Sequence, residues 1–156
     1  MSTLAALALS FALGVFYVLS VLERPIWPLM LDPNAARVLD SEARALHAIL
    51  NRVIHILPPT MLATMLTAVT ALIAQMWQRS CDPWSIAALL VLVVQLARLA
   101  VILPVRIAAV KQRPIDAPAL ALRKSTGELA AAHHAGLLMA GSTLLVQLVI
   151  LASPAP

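Results

Sequence analysis

The chain has 156 residues, of which 62% are hydrophobic and 12% charged, with a formal net charge of +4 and a mean hydropathy of +0.92. A soluble domain of this length cannot bury so much apolar surface, so the composition predicts an integral membrane protein. The basic residues stand between long apolar runs rather than in a stripe with interleaved aromatic residues, which argues against nucleic-acid binding. The single cysteine, Cys81, excludes an intramolecular disulfide and a CxxC metal or redox motif.

Four segments are long and apolar enough to cross a bilayer core about 30 Å thick as helices. They lie at about residues 3–22, 53–77, 84–105 and 128–151. No Lys or Arg precedes Arg24, so the first segment is interpreted as a retained helix rather than a cleaved signal peptide. The sequence therefore predicts a single all-α domain over 1–156, a four-helix bundle whose solvent is the lipid bilayer.

The connections between the spans carry their own signals. The prolines of ERPIWP end the first helix, and an amphipathic helix is predicted from about Ala35, leading directly into the second span. Pro58 and Pro59 are interpreted as a kink where that span enters the membrane. Asp82 is a predicted N-cap of the third span.

The basic residues predict the orientation, because cytoplasmic loops hold the excess of Lys and Arg. Loops 23–52 and 106–127 contain nine of them, whereas the second loop and both termini contain only Arg79. We therefore expect a multi-pass protein of the cell (inner) membrane, with both termini outside and those two loops in the cytoplasm.

Small residues recur every four positions on the first and fourth spans and form a similar stripe on the second, which predicts faces where helix backbones approach closely in lipid. Gln95 and Gln147 are interpreted as interhelical hydrogen-bond donors and acceptors. The three faces are Ala6, Ser10 and Gly14; Thr60, Thr64, Thr67 and Ala71; and Ala132, Gly136 and Ala140.

Polar side chains gather at one depth, the predicted cytoplasmic end of the bundle. Glu23 ends the first span, His55 begins the second, and His133 and His134 open the fourth. His55 with His133 or His134 is predicted to form a cross-bundle pair able to ligate a transition metal or haem, with Glu23 or Glu128 as a further ligand or partner. The alternative is that the histidines lie at the membrane interface and are hydrogen-bonded to backbone or headgroups. The sequence therefore does not decide whether a cofactor is bound.

Arg98 lies eight residues before Arg106 in the third span, roughly 12 Å deeper by helix rise. A charge within a span costs on the order of 2.5 to 3.5 kcal/mol on insertion scales, so Arg98 requires a partner. Glu23 and Glu128 are the candidates; the alternative is that the long side chain reaches the inner headgroups.

Four segments, VLERPIWP, LHAILNRVIHILPP, ILPVR and AAHH, resemble the small four-helix membrane proteins related to anthrone oxygenases, a likeness that covers nearly the whole chain. The resemblance implies a membrane-embedded oxidoreductase acting on a hydrophobic, aromatic substrate, with Asn51, His55 and His134 as the carried-over positions. The chain differs from the family pattern around the third-helix proline, where Ile102 and Arg106 stand in place of asparagines.

The leading hypothesis is an oxygenase-like or redox protein that takes a lipophilic small molecule from the bilayer. His55 and a fourth-helix histidine would act as acid and base or as metal ligands, and Arg98 would hold developing negative charge. No GxSxG, P-loop or GxGxxG motif supports hydrolase or nucleotide chemistry. The alternative is a non-catalytic membrane subunit or accessory protein of a transporter or larger complex, and a homo-oligomer or a membrane partner fits either.

Overall fold

The computed structural model describes residues 1–152, and every element in that part of the chain is helical. Four of the helices are long and apolar enough to cross a bilayer. This confirms the predicted all-α bundle and a multi-pass membrane protein. The elements are α1 (Ser2–Leu22), a 3₁₀ helix (Arg24–Met30), α2 (Asp40–Val53), α3 (Leu57–Gln78), α4 (Pro83–Lys111) and α5 (Ala119–Ala152).

Helix α5 is the central element. It packs against α1, α4, α2 and the 3₁₀ helix, while α3 packs mainly on α1. We call the end of the bundle that holds the 3₁₀ helix, α2 and residues 112–118 the basic end, and the end that holds residues 79–82 the turn end. One apolar core joins α1, α3, α4 and α5, and a second, around Ile26, Leu50 and Val110, lies at the basic end.

The α2 region differs from its prediction. Helix α2 begins at Asp40 rather than near Ala35, with the Glu42 carboxylate accepting a hydrogen bond from the Leu39 backbone N–H at 3.0 Å. A turn at residues 54–56 then separates α2 from α3. Pro58 stands in the first turn of α3, where the missing N–H has no acceptor in any case, so the prolines begin a helix instead of kinking one.

Helices α4 and α5 extend beyond the predicted apolar spans. Helix α4 continues through Pro104 to Lys111, and α5 begins at Ala119, nine residues before the predicted start. The added turns are held by packing, since Val110 and Leu122 are both fully buried. At the turn end Asp82 is the N-cap of α4, as predicted, and accepts from two backbone N–H groups.

The three predicted small-residue faces differ in how far they are buried in the bundle. Ala132, Gly136 and Ala140 of α5 are buried, as predicted. On α1, however, Ser10 and Gly14 are exposed, and the packed face is the neighbouring stripe around Leu9, Ala12 and Phe16. On α3, Ala71 of the predicted face is buried, but Thr60 and Thr67 are exposed. The hydroxyls of Thr60, Thr64 and Thr67 donate to carbonyls of their own helix rather than to a neighbouring one.

Candidate functional site

A buried carboxylate and imidazole join α1 to α5. Glu23 is the residue that ends α1, and its side chain is fully buried against α5. The Nδ1 of His133 donates to Glu23 Oε1 at 2.5 Å. The second carboxylate oxygen, Oε2, is buried without a hydrogen-bond partner among the described residues. The pair thus fixes the ring of His133 through one nitrogen, and its Nε2 makes no hydrogen bond within residues 1–152.

His133 also lines a cavity of about 580 Å³ between α3 and α4. Phe16 of α1 and Met139 of α5 form its inner wall, and Met61 and Met65 stand one turn apart on the α3 side. His133 is the one polar side chain among the residues lining this cavity in the described chain. A volume of this size suits a small organic molecule, and the wall suits one that is largely apolar.

The cavity reaches the outer surface of the bundle between α3 and α4. Several of its lining residues, among them Leu62 and Leu66 on α3 and Val93 on α4, are exposed on the side of the bundle where lipid chains would lie. A molecule dissolved in the bilayer therefore has a lateral path to His133 that does not cross water.

His134 occupies a different environment from its neighbour. Its Nδ1 donates to the Ala130 carbonyl at 3.1 Å, which leaves Nε2 to accept from the Ser20 hydroxyl at 3.0 Å. The Trp27 ring packs edge-on against the imidazole at a centroid distance of 5.2 Å. Both ring nitrogens are thus occupied, Nδ1 within α5 and Nε2 in the contact with the end of α1, and His133 is the histidine that lines the cavity.

The structure does not bring His55 to the fourth-helix histidines. His55 lies exposed in the turn between α2 and α3, so the predicted cross-bundle pair with His133 or His134 is absent. The reason is the break at residues 54–56, which takes His55 out of the helical register of α2. Asn51 is half-buried near the end of α2 and makes no side-chain hydrogen bond in the described chain.

Arg98 is exposed and pairs with neither predicted carboxylate. Leu96 lines the cavity. Arg98 follows it by two residues and so projects about 200° further around the helix, away from the cavity. The carboxylate of Glu23 accepts from His133. At Glu128, the donor is Arg106, and it bonds to the backbone carbonyl. The predicted role of Arg98 in the site therefore has no geometric support.

The predicted metal ligands are not assembled into one site. Of Glu23, His55, His133 and His134, only Glu23 and His133 are in contact. Within residues 1–152 no group of three or more His, Cys, Asp or Glu side chains is placed to hold a metal ion.

Sequence reasoning missed the cavity wall. Met61 and Met65 are spaced one helical turn apart and have flexible, polarisable side chains that adapt to irregular apolar ligands. Their i, i+4 spacing was the available signal, but it marks a buried helix face as readily as a ligand pocket.

Comparison of the chain with known proteins finds no matching family model, no matching curated protein and no matching solved structure.

Proposed function

We propose that the protein is a membrane-embedded oxygenase that takes a lipophilic small molecule from the bilayer into the cavity between α3 and α4. The observation that carries this proposal is the position of His133. Its ring is fixed by Glu23, and it is the one polar side chain lining an otherwise apolar cavity of about 580 Å³ in the described chain.

The cavity favours a substrate with little polar surface. A polar ligand would lose its hydration on entering and find a single hydrogen-bonding side chain, which is unfavourable. A lipophilic molecule with one acidic C–H or O–H group loses little on leaving the bilayer and can place that group against His133. The aromatic substrate implied by the resemblance to anthrone oxygenases meets this description.

His133 would act as the general base. With Nδ1–H donated to Glu23, the lone pair on Nε2 is available to accept a proton from the substrate, and the carboxylate stabilises the imidazolium that forms. Removal of the proton leaves an electron-rich anion of the substrate, the species that dioxygen would oxidise. Glu23 thus acts through His133, and His133 contacts the reacting group.

We also propose that the basic end faces the cytoplasm. This orientation is supported by the excess of Lys and Arg in loops 23–52 and 106–127. The site then lies toward the inner leaflet of the cell membrane, with both termini outside.

Oxygen uptake by the purified protein in lipid nanodiscs, with a hydroxyanthrone as probe substrate, tests this function. We expect His133→Ala to lower the rate by about 10² to 10⁴, the usual contribution of a general base. Glu23→Gln should lower it less, because the amide still orients the ring. His55→Ala is the matched control, because this exposed histidine lies outside the site and its removal should leave the rate unchanged.

Binding must depend on the cavity as well. Met65→Trp fills part of the cavity and should abolish both oxygen uptake and the binding of an anthracene probe, measured by the change in the fluorescence of the probe. Full oxygen uptake by His133→Ala, or unchanged probe binding by Met65→Trp, would exclude the proposed function. A protein that folds but neither binds the probe nor consumes oxygen would point to the accessory-subunit alternative.

A further inference from the structure

Helix α4 is much less covered than the other spans. Of its most apolar 18-residue stretch only 11% is buried inside the bundle, against 28 to 39% for α1, α3 and α5. Its bundle-facing contacts run along Ser85, Ala88 and Leu92. The opposite side is therefore left to whatever surrounds the bundle.

That outer side has a regular spacing. Its residues alternate steps of three and four, the repeat of two helices that pack along one another with a shallow crossing angle. Each is exposed, and four of the five are the same β-branched residue, which presents a stiff and even surface. We call these residues the α4 face: Val91, Val94, Arg98, Val101 and Val105.

Arg98 stands in the middle of the α4 face and near the middle of the apolar stretch of α4. Ser85 lies at the turn end beside Gln75, and Arg106 donates to the Glu128 carbonyl at the basic end. The 21 helical steps from Ser85 to Arg106 span about 31 Å, close to the thickness of a bilayer core. Arg98 is eight residues, about 12 Å, from the basic boundary.

A guanidinium at this depth requires a negative partner, and the described chain supplies none. The partner that best fits the position is a carboxylate held at the same depth, because it neutralises Arg98 where it stands and accepts two hydrogen bonds from the guanidinium fork. A lipid phosphate lies at the bilayer surface, so the Arg98 side chain would have to bend away from the α4 face to contact one.

A second copy of this chain does not provide that carboxylate. A two-fold pair through the α4 face would place Arg98 against Arg98. Neither acidic side chain on the spanning helices of the bundle helps, since Glu23 is fully buried and Glu128 lies at the basic end. The matching helix therefore belongs to another protein.

We propose that the α4 face docks a transmembrane helix of a different protein that carries an Asp or Glu at the depth of Arg98. The valines pack along the helix, and the ion pair fixes its register. This inference is independent of the oxygenase proposal, because Arg98 projects away from the cavity and contacts no part of the site.

The test uses the purified full chain in phosphatidylcholine vesicles at pH 8, with fluorescently labelled synthetic transmembrane helices of leucine as probes. One helix carries a single Asp at the depth of Arg98, the second carries Asn there, and the third has leucine throughout. Energy transfer to a dye on the exposed Cys81 measures association. We expect the Asp helix to bind about tenfold more tightly than the all-leucine helix, the ratio expected for one strong interhelical polar contact.

Variants of the chain assign the effect to the α4 face. Arg98→Leu should abolish the preference for Asp, whereas Arg98→Lys, which keeps the charge, should retain it. Lys124→Leu removes an exposed cation outside the α4 face and should change nothing. Arg98→Leu adds an apolar residue to a membrane helix, so it should fold, which a circular dichroism spectrum checks.

Two results would overturn the proposal. One is equal binding of the Asp and leucine helices to the wild-type chain. If, in that case, 30% phosphatidylglycerol in the vesicles changes the energy-transfer signal of the wild-type chain but not that of Arg98→Leu, lipid headgroups are the partner of Arg98. The other is an Asp preference that survives Arg98→Leu. Neither result would bear on oxygen uptake at His133.

Discussion

Gly136 of α5 lies directly against the ring of Phe16 of α1. A Cβ added at Gly136 would stand 2.5 Å from Phe16 Cζ and 2.6 Å from Cε1, closer than such atoms approach. Phe16 in turn lines the cavity. The contact therefore sets both the spacing of α1 and α5 and the position of one cavity wall.

We expect Gly136→Ala to destabilise the protein by about 1 to 3 kcal/mol, because an extra methyl in a tightly packed interior forces a side chain or a helix to move. Gly14→Ala is the matched control, since nothing lies within 4 Å of a Cβ at Gly14. It should be neutral or raise stability by about 0.5 to 1 kcal/mol through helix propensity. Thermal unfolding in detergent compares the two, and equal effects would contradict the role of the Phe16 contact.

The same contact shows which parts of the fold were predictable. A run of twenty apolar residues is a property of the sequence alone, so four spans followed directly. The packed face of α5 was also predictable from its small residues. The packed face of α1 was not, because a small-residue stripe at Ser10 and Gly14 competes with a bulky one at Phe16, and only the partner helix decides between them.

The candidate site was predictable in depth but not in membership. Glu23, His133 and His134 all lie at the depth expected from the sequence, yet which adjacent histidine meets the cavity depends on the rotation of α5, fixed by contacts such as Gly136 with Phe16. His55 lies outside the site because a turn at residues 54–56 interrupts the helix, and helical periodicity in the sequence does not reveal this turn.

At the turn end, Gln75 and Gln147 hold α3 and α5 together. Both are fully buried, and each amide donates to the other, at 3.3 and 2.6 Å. We expect Gln147→Leu to lower the free energy of unfolding by about 1 to 2 kcal/mol, because it leaves the Gln75 amide partly without hydrogen-bond partners in an apolar interior. The double variant with Gln75→Leu should recover part of the loss, which a double-mutant cycle of unfolding free energies measures.

Gln95 is the control for that pair. The sequence suggested an interhelical role for it as well, but it is half-buried and its side chain makes no hydrogen bond in the described part of the chain. Gln95→Leu should change the unfolding free energy by less than about 0.5 kcal/mol. A loss as large as that of Gln147→Leu would show that the Gln75 pairing is not the cause.

Stability at acidic pH should depend on Asp82. The Ser85 hydroxyl donates to its carboxylate at 2.5 Å and, with the Ser85 backbone N–H and Arg79, holds the pKa of Asp82 below its ordinary 3.8, although partial burial acts in the opposite direction. A carboxyl whose pKa is lower in the folded state stabilises the fold above its unfolded pKa, and the stabilisation is lost as the pH falls through the folded pKa.

We therefore expect the melting temperature of the wild-type protein to fall more steeply below pH 4 than that of Asp82→Asn. The variant keeps an oxygen that can cap α4 but has no proton to gain. The measured quantity is the difference between the two melting temperatures from pH 7 to pH 2. A difference that stays constant with pH would mean that Asp82 has no lowered pKa in the folded protein.

At the basic end, Arg123 of α5 holds the chain between the 3₁₀ helix and α2. Its guanidinium donates to the carbonyls of Pro33, Ala35 and Val38 at 2.6 to 2.8 Å and to the Asp40 carboxylate at 3.0 Å. Bonds from a charged donor to several acceptors fix a segment that has no regular secondary structure of its own.

We expect Arg123→Leu to release this segment at a cost of about 2 to 3 kcal/mol in unfolding free energy, because the carbonyls of Pro33 and Val38 lose their donor and that of Ala35 keeps only the Val38 N–H. The exposed Arg37 lies inside the segment and reports its opening, since trypsin should cleave there faster in the variant. Arg123→Lys should give an intermediate rate, because an ammonium group cannot reach all the acceptors together. Lys124→Leu removes the adjacent exposed cation and should leave the cleavage rate at Arg37 unchanged; equal acceleration in both leucine variants would mean that net charge, not the Arg123 hydrogen bonds, holds the segment in place.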